Sequence, residues 1–352
     1  MDALITVLPG DGIGPEVAEA GVRVLRQIAG KVHRLNIREH LIGGAAIDAA
    51  GEPLPDATVT ACRESDAVIL GAVGGPKWSD PNAAVRPEQG LLGLRSALGV
   101  FANLRPVQIF PGLADASPVK SERLKDLDMV VVRELTGGIY FGEKTRNATS
   151  ASDLCRYEVH EIERIVRCAA RLAAQRNKKL CSVDKANVLE TSRLWRDVTS
   201  RIVAQEFPSV QLEHMLVDAA AMHLINRPAQ FDVIVTENMF GDILTDEASM
   251  LAGSLGMLPS ASLGDTHRGL YEPIHGSAPD IAGRGIANPC GMIASIALLL
   301  RHSLGLAAEA DRVELALKTV IAEGARTADI ALAGETPLST VQMTDRIIQQ
   351  LR

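Results

Sequence analysis

Three arginines stand where their side chains could act together on an anion. Arg95 lies in the segment RPEQGLLGLR, Arg105 in NLRP, and Arg133 at the end of the apolar run VVVREL. A guanidinium group matches a carboxylate through two parallel hydrogen bonds. The three arginines therefore suggest a pocket for a polycarboxylate, although arginines at the ends of helices and strands are often structural.

The predicted helix that carries Arg95 has a mixed face. Glu88, Leu91, Leu92 and Arg95 stand at i, i+3, i+4 and i+7, so one face presents an apolar pair beside a guanidinium. The alternative is that both leucines belong to the core and that Arg95 is a solvated helix end.

Three aspartates are candidate ligands for a divalent metal ion. Asp242 and Asp246 are four residues apart at the start of a predicted helix, and Asp218 ends the strand-like run QLEHMLVD. Like charges at this spacing destabilise a helix by roughly 0.2–0.5 kcal/mol, so a nearby cation is expected. Oxygen ligands without a His–Cys set favour Mg²⁺ or Mn²⁺. A solvated acidic helix start is the alternative.

A lysine and a tyrosine are candidate proton carriers. The segment SVDKANVLE places Lys185 and Asn187 in a predicted strand-to-helix loop, and GGIYFGE places Tyr140 just beyond Arg133. Both side chains can transfer protons if the site lowers their pKa values. Either residue alone is equally compatible with ordinary surface.

Composition restricts the class of protein. The chain has 352 residues, 47% hydrophobic and 22% charged, and a net charge of −7, which argues against nucleic acid or a membrane as its main partner. No targeting signal is evident, and the longest apolar helix candidate, GMIASIALLLR, is shorter than the roughly 20 residues that span a bilayer. Five cysteines without C-x-x-C spacing predict reduced thiols in a cytoplasmic protein.

Strand-like apolar runs alternate with helical periodicity, which predicts an α/β protein with a largely parallel sheet. The strand candidates are residues 3–8, 66–73, 129–135, 179–184, 211–218 and 231–237, and the helix candidates include 15–29, 160–175 and 189–207. The candidate chemical residues follow the carboxyl ends of these strands, where ligands bind in open α/β sheets.

Two glycine-rich segments are candidates for ligand binding. The loop LPGDGIGPEV has glycines at 10, 12 and 14, so it lacks the G-x-G-x-x-G spacing of a dinucleotide fingerprint and the later acidic residue. It predicts a strand–turn–helix junction that brings backbone close to a ligand. The irregular segment 271–289 is too rich in Ile, Ala and Tyr for disorder, and its backbone amides near 276–278 suit an anionic or adenosyl ligand.

Together these motifs resemble the β-decarboxylating dehydrogenases, the family of isocitrate and isopropylmalate dehydrogenases. The resemblance runs essentially end to end and rests on GDGIGPE, GAVGGPKW, RPEQGLLGLR, FANLRP, VRELTGGIYFG, SVDKANVLE, FGDILTDEAS, LPSASLG and HGSAPDIAGRGIANP. It implies an α/β two-domain fold with a large mixed, mostly parallel sheet, and not a Rossmann fold. Residues 1–99 and 253–352 would form the cofactor-binding domain. Residues 100–252 would form the central domain, with the metal and substrate residues and the dimer contact.

The resemblance also implies the roles of site residues. Substrate binding falls to Arg95, Arg105 and Arg133 at the carboxylates, to Leu91, Leu92 and Glu88 at an isopropyl group, and to Asn187. Metal binding falls to Asp242, Asp246 and Asp218 of the partner subunit. Catalysis falls to Lys185 of the partner subunit as general base, to Asp218 and to Tyr140 as proton donor.

The cofactor implied is NAD. Asp280 occupies the place where NADP-using relatives carry lysine, and Ile281 the place of a tyrosine. A carboxylate there accepts hydrogen bonds from ribose hydroxyls and repels a 2′-phosphate. The implied cofactor-binding residues are Ile13, Glu272, His275, Gly276, Ser277, Ala278, Asp280, Ile281, Asn288 and Asp329.

The activity implied is oxidative decarboxylation of 3-isopropylmalate to 2-oxoisocaproate and CO₂, in leucine biosynthesis, by a cytoplasmic homodimer with shared active sites. A sister enzyme acting on D-malate, tartrate or homoisocitrate is the alternative, as is a catalytically silent regulatory subunit. Two departures from the family pattern are Glu237, where relatives carry a small residue, and the segment 143–158, which is unlike the usual loop.

Overall fold

The computed structural model of the protein describes residues 2–30, 32–78, 80, 83–110 and 112–351. The strands, numbered along the chain, are β1 Asp2–Gly10, β2 Arg34–Glu39, β3 Ala67–Ala72, β4 Ala102–Gln108, β5 Asp128–Glu134, β6 Lys144–Arg146, β7 Ala151–Asp153, β8 Lys179–Asp184, β9 Gln211–Leu216, β10 Val233–Thr236, β11 Pro259–Leu263 and β12 Gly269–Pro273.

The helices are likewise numbered along the chain. They are α1 Gly14–Ala29, α2 Gly43–Ala50, α3 Asp56–Glu64, α4 Pro87–Leu98, α5 Ser121–Leu124, α6 Val159–Gln175, α7 Glu190–Glu206, α8 Val217–Asn226, α9 Asn238–Ser249, α10 Cys290–His302, α11 Ala307–Ala322 and α12 Thr340–Gln350. Among the described residues, none of these helices has the length and apolar character needed to cross a membrane.

The chain folds into two compact units. The first comprises Met1–Val100, Phe110–Ser117 and Ala252–Arg352, and the second comprises Phe101–Ile109 and Pro118–Leu251. Residues 110–117, which the sequence-based division assigns to the central domain, therefore belong with the first unit. The roles of the two domains in cofactor binding and dimerisation remain predictions.

Each unit contains a mixed sheet. In the first unit the order is β2-β1-β3-β12-β11, and only β11 runs antiparallel to its neighbour. In the second unit the order is β4-β5-β10-β8-β9, and only β4 runs antiparallel to its neighbour. The predicted α/β class with a mixed, mostly parallel sheet is confirmed.

Sequence periodicity accounts for the long helices and the central strands. In α1, Val17, Val24 and Leu25 are buried on one face, and Pro15 stands in the first turn, where its missing N–H costs no hydrogen bond. The strand β8 occupies the predicted residues 179–184, and α6 and α7 each lie within one residue of their predicted bounds. Buried parallel strands favour continuous apolar runs, which is why these strands are readable in the sequence.

One predicted strand end is wrong. The strand β9 ends at Leu216, and Val217 and Asp218 begin α8. Asp218 is therefore an acidic residue in the first turn of a helix, where a carboxylate interacts favourably with the helix N-terminus, and it does not end a strand.

Candidate active site

Arg133 is held by two residues of α9 at the carboxyl edge of the second unit's sheet. Its side chain is buried at the end of β5, next to β10, and α9 begins directly after β10. Its Nε and Nη2 donate to Asn238 Oδ1 over 3.1 and 2.9 Å, and Nη1 donates to Asp242 Oδ1. A Cβ atom on Gly241 would lie 2.6 Å from Arg133 Cγ, so glycine permits this close approach.

Tyr140 joins the same carboxylate. Its Oη donates to Asp242 Oδ2 over 2.7 Å, and the Arg133 guanidinium lies 5.8 Å from the centre of its ring. Partial burial and this hydrogen bond raise the pKa of Tyr140 to about 12, so the lowered pKa expected beside an arginine is wrong. Tyr140 therefore keeps its proton at neutral pH and has the protonation state required of a donor.

Arg105 brings a second cation to α9. It projects from β4, where Nε donates to Asn103 Oδ1 and Nη1 to Thr245 Oγ1, each over 2.7 Å. Its Nη1 also lies 3.6 Å from Asp246 Oδ1. Together with Arg133 it supplies the positive charge that the i, i+4 aspartate pair of α9 predicts. The arrangement brings two predicted carboxylate-binding arginines together with two predicted metal ligands.

Lys185 and Asp218 form a separate pair in the same unit. Lys185 follows β8, and its Nζ donates to Asp218 Oδ1 over 2.5 Å. This hydrogen bond lowers the pKa of Asp218 below its usual value. Among the described residues, no three His, Cys, Asp or Glu side chains converge to hold a metal ion, so Asp218 does not complete a set with Asp242 and Asp246 of its own chain.

The loop that carries Lys185 is fixed by a buried carboxylate. Asp184 accepts from Arg196 Nε and Nη2 over 2.9 and 2.8 Å and from the Ala186 amide over 2.9 Å. The Lys185 amide donates to Ser192 Oγ over 3.0 Å. Asn187, the other predicted residue of this loop, is exposed beside it.

Arg95, in the first unit, pairs with another predicted site residue. Its Nη2 donates to Glu272 Oε1 over 2.8 Å, which joins α4 to β12. Its Nε is buried without a hydrogen-bond partner in the part of the chain that the structure describes. Arg95 is thus not a solvated helix end.

The rest of the predicted face of α4 is divided. Leu91 is half-buried and packs against a core cluster that contains Leu94, whereas Leu92 is 37% exposed. Glu88 is exposed, and a Cβ on Gly74 would lie 3.1 Å from its Oε1. The core interpretation therefore fits Leu91 in part, and Leu92 is open to a ligand.

The two glycine-rich segments meet in the first unit. The Ile13 amide donates to Ser277 O over 2.8 Å, and a Cβ on Gly12 would lie 2.0 Å from the same oxygen. Ala278 has a positive φ of 37°, which is uncommon for a residue other than glycine. The junction after β1 and the irregular segment after β12 therefore form one continuous backbone surface.

The predicted irregular segment 271–289 begins inside β12, which carries Glu272, and the other predicted cofactor residues lie on the segment except Asp329, which a hydrogen bond joins to it. His275 Nδ1 is 2.8 Å from Gly276 O, and its Nε2 is buried without a partner among the described residues. Asn288 Nδ2 donates to Asp329 Oδ2 over 2.9 Å. Asp280 is exposed and Ile281 is half-buried.

The position of Asn238 just beyond a strand end predicts a chemical role from the sequence, whereas Asp184 was not identified. Asn238 binds Arg133, which lies 105 residues earlier, and Asp184 fixes the Lys185 loop. The sequence does not reveal that Arg133 is the partner of Asn238, because no local pattern links residues 105 positions apart.

Comparison with known proteins establishes the family of the chain. A sequence model of the isocitrate/isopropylmalate dehydrogenase family matches residues 4–347. The chain belongs to this family.

Curated members of the family are similar over their whole length. The chain is 58% identical to 3-isopropylmalate dehydrogenase of Anaeromyxobacter dehalogenans, with 100% of both chains covered. It is 56% identical to 3-isopropylmalate dehydrogenase of Bacillus subtilis, with 99% of this chain and 96% of the other covered. A crystal structure of isocitrate dehydrogenase from Methylococcus capsulatus superposes with a TM-score of 0.88 at 35% identity, covering 99% of each chain.

Proposed function

We propose that the protein catalyses the NAD-dependent oxidative decarboxylation of 3-isopropylmalate to 2-oxoisocaproate and CO₂, in leucine biosynthesis. The observation that carries this proposal is that Arg133 and Tyr140 both donate hydrogen bonds to the carboxylate of Asp242. An anion-binding group, a proton donor and a candidate metal ligand are the parts that this reaction requires. The names of the similar curated proteins support the same substrate.

The donor set fits Mg²⁺ or Mn²⁺. The side chains of Asp242 and Asp246 are 37% and 69% exposed on one face of α9, so their oxygens are accessible to a hard cation. Two carboxylates leave the set incomplete, and we propose that Asp218 of the partner subunit supplies the third. A bound dication supplies Lewis-acid polarisation of the substrate hydroxyl and of the neighbouring carboxylate.

The protein residues then divide the remaining work. Arg95, Arg105 and Arg133 hold the two carboxylates of the substrate through bidentate hydrogen bonds, with Asn187 as a further substrate contact. Lys185 of the partner subunit takes the proton of the substrate hydroxyl as hydride leaves the carbon that bears this hydroxyl. After CO₂ departs, Tyr140 donates a proton to the carbon from which the CO₂ was lost.

The cofactor that fits the first unit is NAD, which supplies the hydride acceptor. The orphaned Nε2 of His275 and the backbone surface at Ile13 and Ser277 support a bound adenosine there. The exposed carboxylate of Asp280 supports NAD over NADP because it would repel a 2′-phosphate. We assign the further contacts to Glu272, Gly276, Ala278, Ile281, Asn288 and Asp329.

We propose a cytoplasmic homodimer with shared active sites. Large apolar side chains that are exposed on the second unit support a subunit contact there. They are Val188 (61%), Met222 (64%), Ile243 (60%) and Met250 (46%). Val188 follows the Lys185 loop and Ile243 follows Asp242, so both halves of the catalytic set adjoin this apolar surface.

The test is NADH formation from purified protein. We expect turnover of 3-isopropylmalate with NAD⁺ and Mg²⁺ or Mn²⁺, little turnover of D-malate, tartrate or isocitrate, little with NADP⁺, and none after EDTA until the metal is restored. A preference for D-malate would contradict 3-isopropylmalate as the substrate. Turnover that persists in EDTA would contradict the requirement for a divalent metal ion. No turnover of any substrate would favour a regulatory subunit.

A further inference from the structure

Two buried glutamates and one tyrosine form a cluster in the second unit that the proposed mechanism does not use. Glu134 is fully buried, and Glu237 and Tyr157 are 7% and 6% exposed. Tyr157 Oη lies 3.4 Å from Glu134 Oε2 and 3.3 Å from Glu237 Oε2. We call these three residues the Glu–Tyr–Glu cluster.

The protons of the cluster can be counted. Tyr157 has one O–H, and its oxygen already accepts from the Asn238 amide over 3.0 Å. A phenol donates only once, so it can satisfy one of the two carboxyl oxygens that face it. The other oxygen must carry a proton of its own, because two bare carboxylates around one hydroxyl would repel each other in a buried site.

Glu134 has the partners of an ionised carboxylate. It accepts from Thr136 N and Thr136 Oγ1 over 2.9 and 2.7 Å and from Gly137 N over 2.8 Å, and Arg164 Nη2 lies 3.5 Å away. Burial raises the pKa of Glu134, and these donors act in the opposite direction. With three hydrogen bonds and a guanidinium, Glu134 is the natural acceptor of the Tyr157 proton.

Glu237 has the partners of a neutral acid. Its Oε1 caps α9 by accepting from Phe240 N over 2.7 Å, while Oε2 faces Tyr157. No basic side chain forms an ion pair with Glu237 in the part of the chain that the structure describes. Burial raises the pKa of Glu237 and the charge of Glu134 adds to that shift, while the amides of Phe240 and Met239 and the Tyr157 hydroxyl act in the opposite direction.

The other titratable groups near Glu237 do not change this assignment. Cys155 and Tyr140 are neutral groups whose pKa values are raised by burial, so neither offers a positive charge to an ionised Glu237. Asp184 lines the same small cavity and is already paired with Arg196. Apart from the amides at the N-terminus of α9, an ionised Glu237 would therefore face negative or neutral groups.

We propose that Glu237 is a positioning residue of the active site, a protonated acid that fixes the first turn of α9. It caps that turn through Phe240 and acts with Tyr157, which accepts from the Asn238 amide. The Asn238 side chain accepts two hydrogen bonds from Arg133, so the orientation of the guanidinium depends on this turn. The inference rests on the proposed function, because Arg133 is given a substrate there.

The kinetic test compares Glu237→Gln with Glu237→Ala, and Glu213→Gln serves as an exposed control. A glutamine amide reproduces the neutral acid: its oxygen accepts from Phe240 N and its NH₂ donates to Tyr157. We expect E237Q to keep kcat/KM for 3-isopropylmalate within about threefold, and E237A to raise the substrate KM by about tenfold or more with the KM for NAD⁺ nearly unchanged. Equal impairment of E237Q and E237A, or an effect of E237A on both KM values alike, would overturn the positioning role.

A second measurement does not depend on turnover. Infrared difference spectra of wild type and E237Q report the C=O stretch of a protonated carboxylic acid directly. We expect wild type at neutral pH to show this band and E237Q to lack it, with no difference between wild type and E213Q. Absence of the band in wild type would overturn the neutral acid, even if 3-isopropylmalate is turned over. Its presence in a protein that turns over no 3-isopropylmalate would reject the proposed function alone.

Discussion

The hydroxyl of Tyr140 donates to the carboxylate of Asp242, with 2.7 Å between Oη and Oδ2, and Arg133 binds the other oxygen of the same carboxylate. Groups that come from a loop, a strand end and a helix start thus share a single acceptor. The geometry sets the proton donor beside the anion-binding group before any ligand arrives, so little reorganisation is needed when substrate binds.

Replacing Tyr140 with phenylalanine is expected to remove the proton donor and little else. We expect kcat to fall by about 10²- to 10⁴-fold, the usual contribution of general acid catalysis, with a substrate KM near that of wild type. Steady-state NADH formation measures the loss. An unchanged kcat would assign the proton to another group, and a changed melting temperature would reveal a structural effect instead.

Replacing Arg133 with lysine is expected to weaken substrate binding. Lysine keeps the charge but loses the planar fork that reaches both Asn238 and Asp242. Loss of a charged hydrogen bond costs about 1.5–3 kcal/mol, so the KM for 3-isopropylmalate should rise by about 10- to 150-fold. Arg34→Lys, at an exposed position on β2, should leave the KM unchanged. A similar KM for both variants would exclude Arg133 as a carboxylate ligand.

Replacing Leu92 with alanine is expected to weaken the preference for 3-isopropylmalate over a substrate without the isopropyl group. Full burial of a leucine is worth about 1.5–3 kcal/mol, and Leu92 is 37% exposed, so we expect a smaller effect of about 1–2 kcal/mol. The ratio of kcat/KM for 3-isopropylmalate to that for D-malate should therefore fall by about 5- to 30-fold. Leu315→Ala, at an exposed position on α11, is the matched control. A ratio that does not move would leave Leu92 without a role in specificity.

Replacing Asp280 with lysine is expected to shift the cofactor preference. The change removes a charge that repels a 2′-phosphate and adds one that attracts it. The ratio of kcat/KM for NAD⁺ to that for NADP⁺ should fall by about tenfold or more, which corresponds to about 1.4 kcal/mol. Asp265→Lys provides a matched charge change at another exposed position. An equal response of both variants would indicate a general field effect and not a contact at Asp280.

Stability should depend on pH through Glu237. Because the folded-state pKa of Glu237 is raised, its contribution is fully present below the unfolded pKa and is lost as pH rises through the folded pKa. Wild type should therefore lose melting temperature relative to E237Q as the pH rises from weakly acidic to alkaline. Thermal unfolding of both proteins over the same pH series checks this, and parallel curves would contradict it.

Local patterns sufficed for the buried strands and amphipathic helices. Strands such as β3 are short apolar runs, and α1 repeats its apolar face every three to four residues. The strand β4 contains Asn103, Arg105 and Pro106, so its sequence has no apolar run, and only the motif FANLRP marks it. The structure shows that its polar side chains are buried through hydrogen bonds.

The sequence predicts which residues belong to the site, but not which of them contact each other. The spacing of Asp242 and Asp246 demands a cation nearby, and the structure supplies Arg133 and Arg105. The pair formed by Arg95 and Glu272 spans 177 residues, and no local pattern encodes such a contact.

The segment 143–158, which departs from the family pattern, has a structure of its own. The strands β6 and β7 pair as an antiparallel ribbon, and the chain then returns to bury Tyr157. Tyr157 lies within hydrogen-bonding distance of Glu237, 80 residues later in the chain. A sequence read one segment at a time cannot reveal that contact.

The separation of the Lys185–Asp218 pair from the Asp242 group has a genetic consequence. In the proposed dimer, each active site combines Tyr140 of one subunit with Lys185 of the other. A dimer of one chain mutated only at Tyr140 and one mutated only at Lys185 will therefore contain a single intact active site. Mixed dimers of two inactive parents should then recover up to half of the normal turnover per dimer, whereas the parents kept apart should recover none.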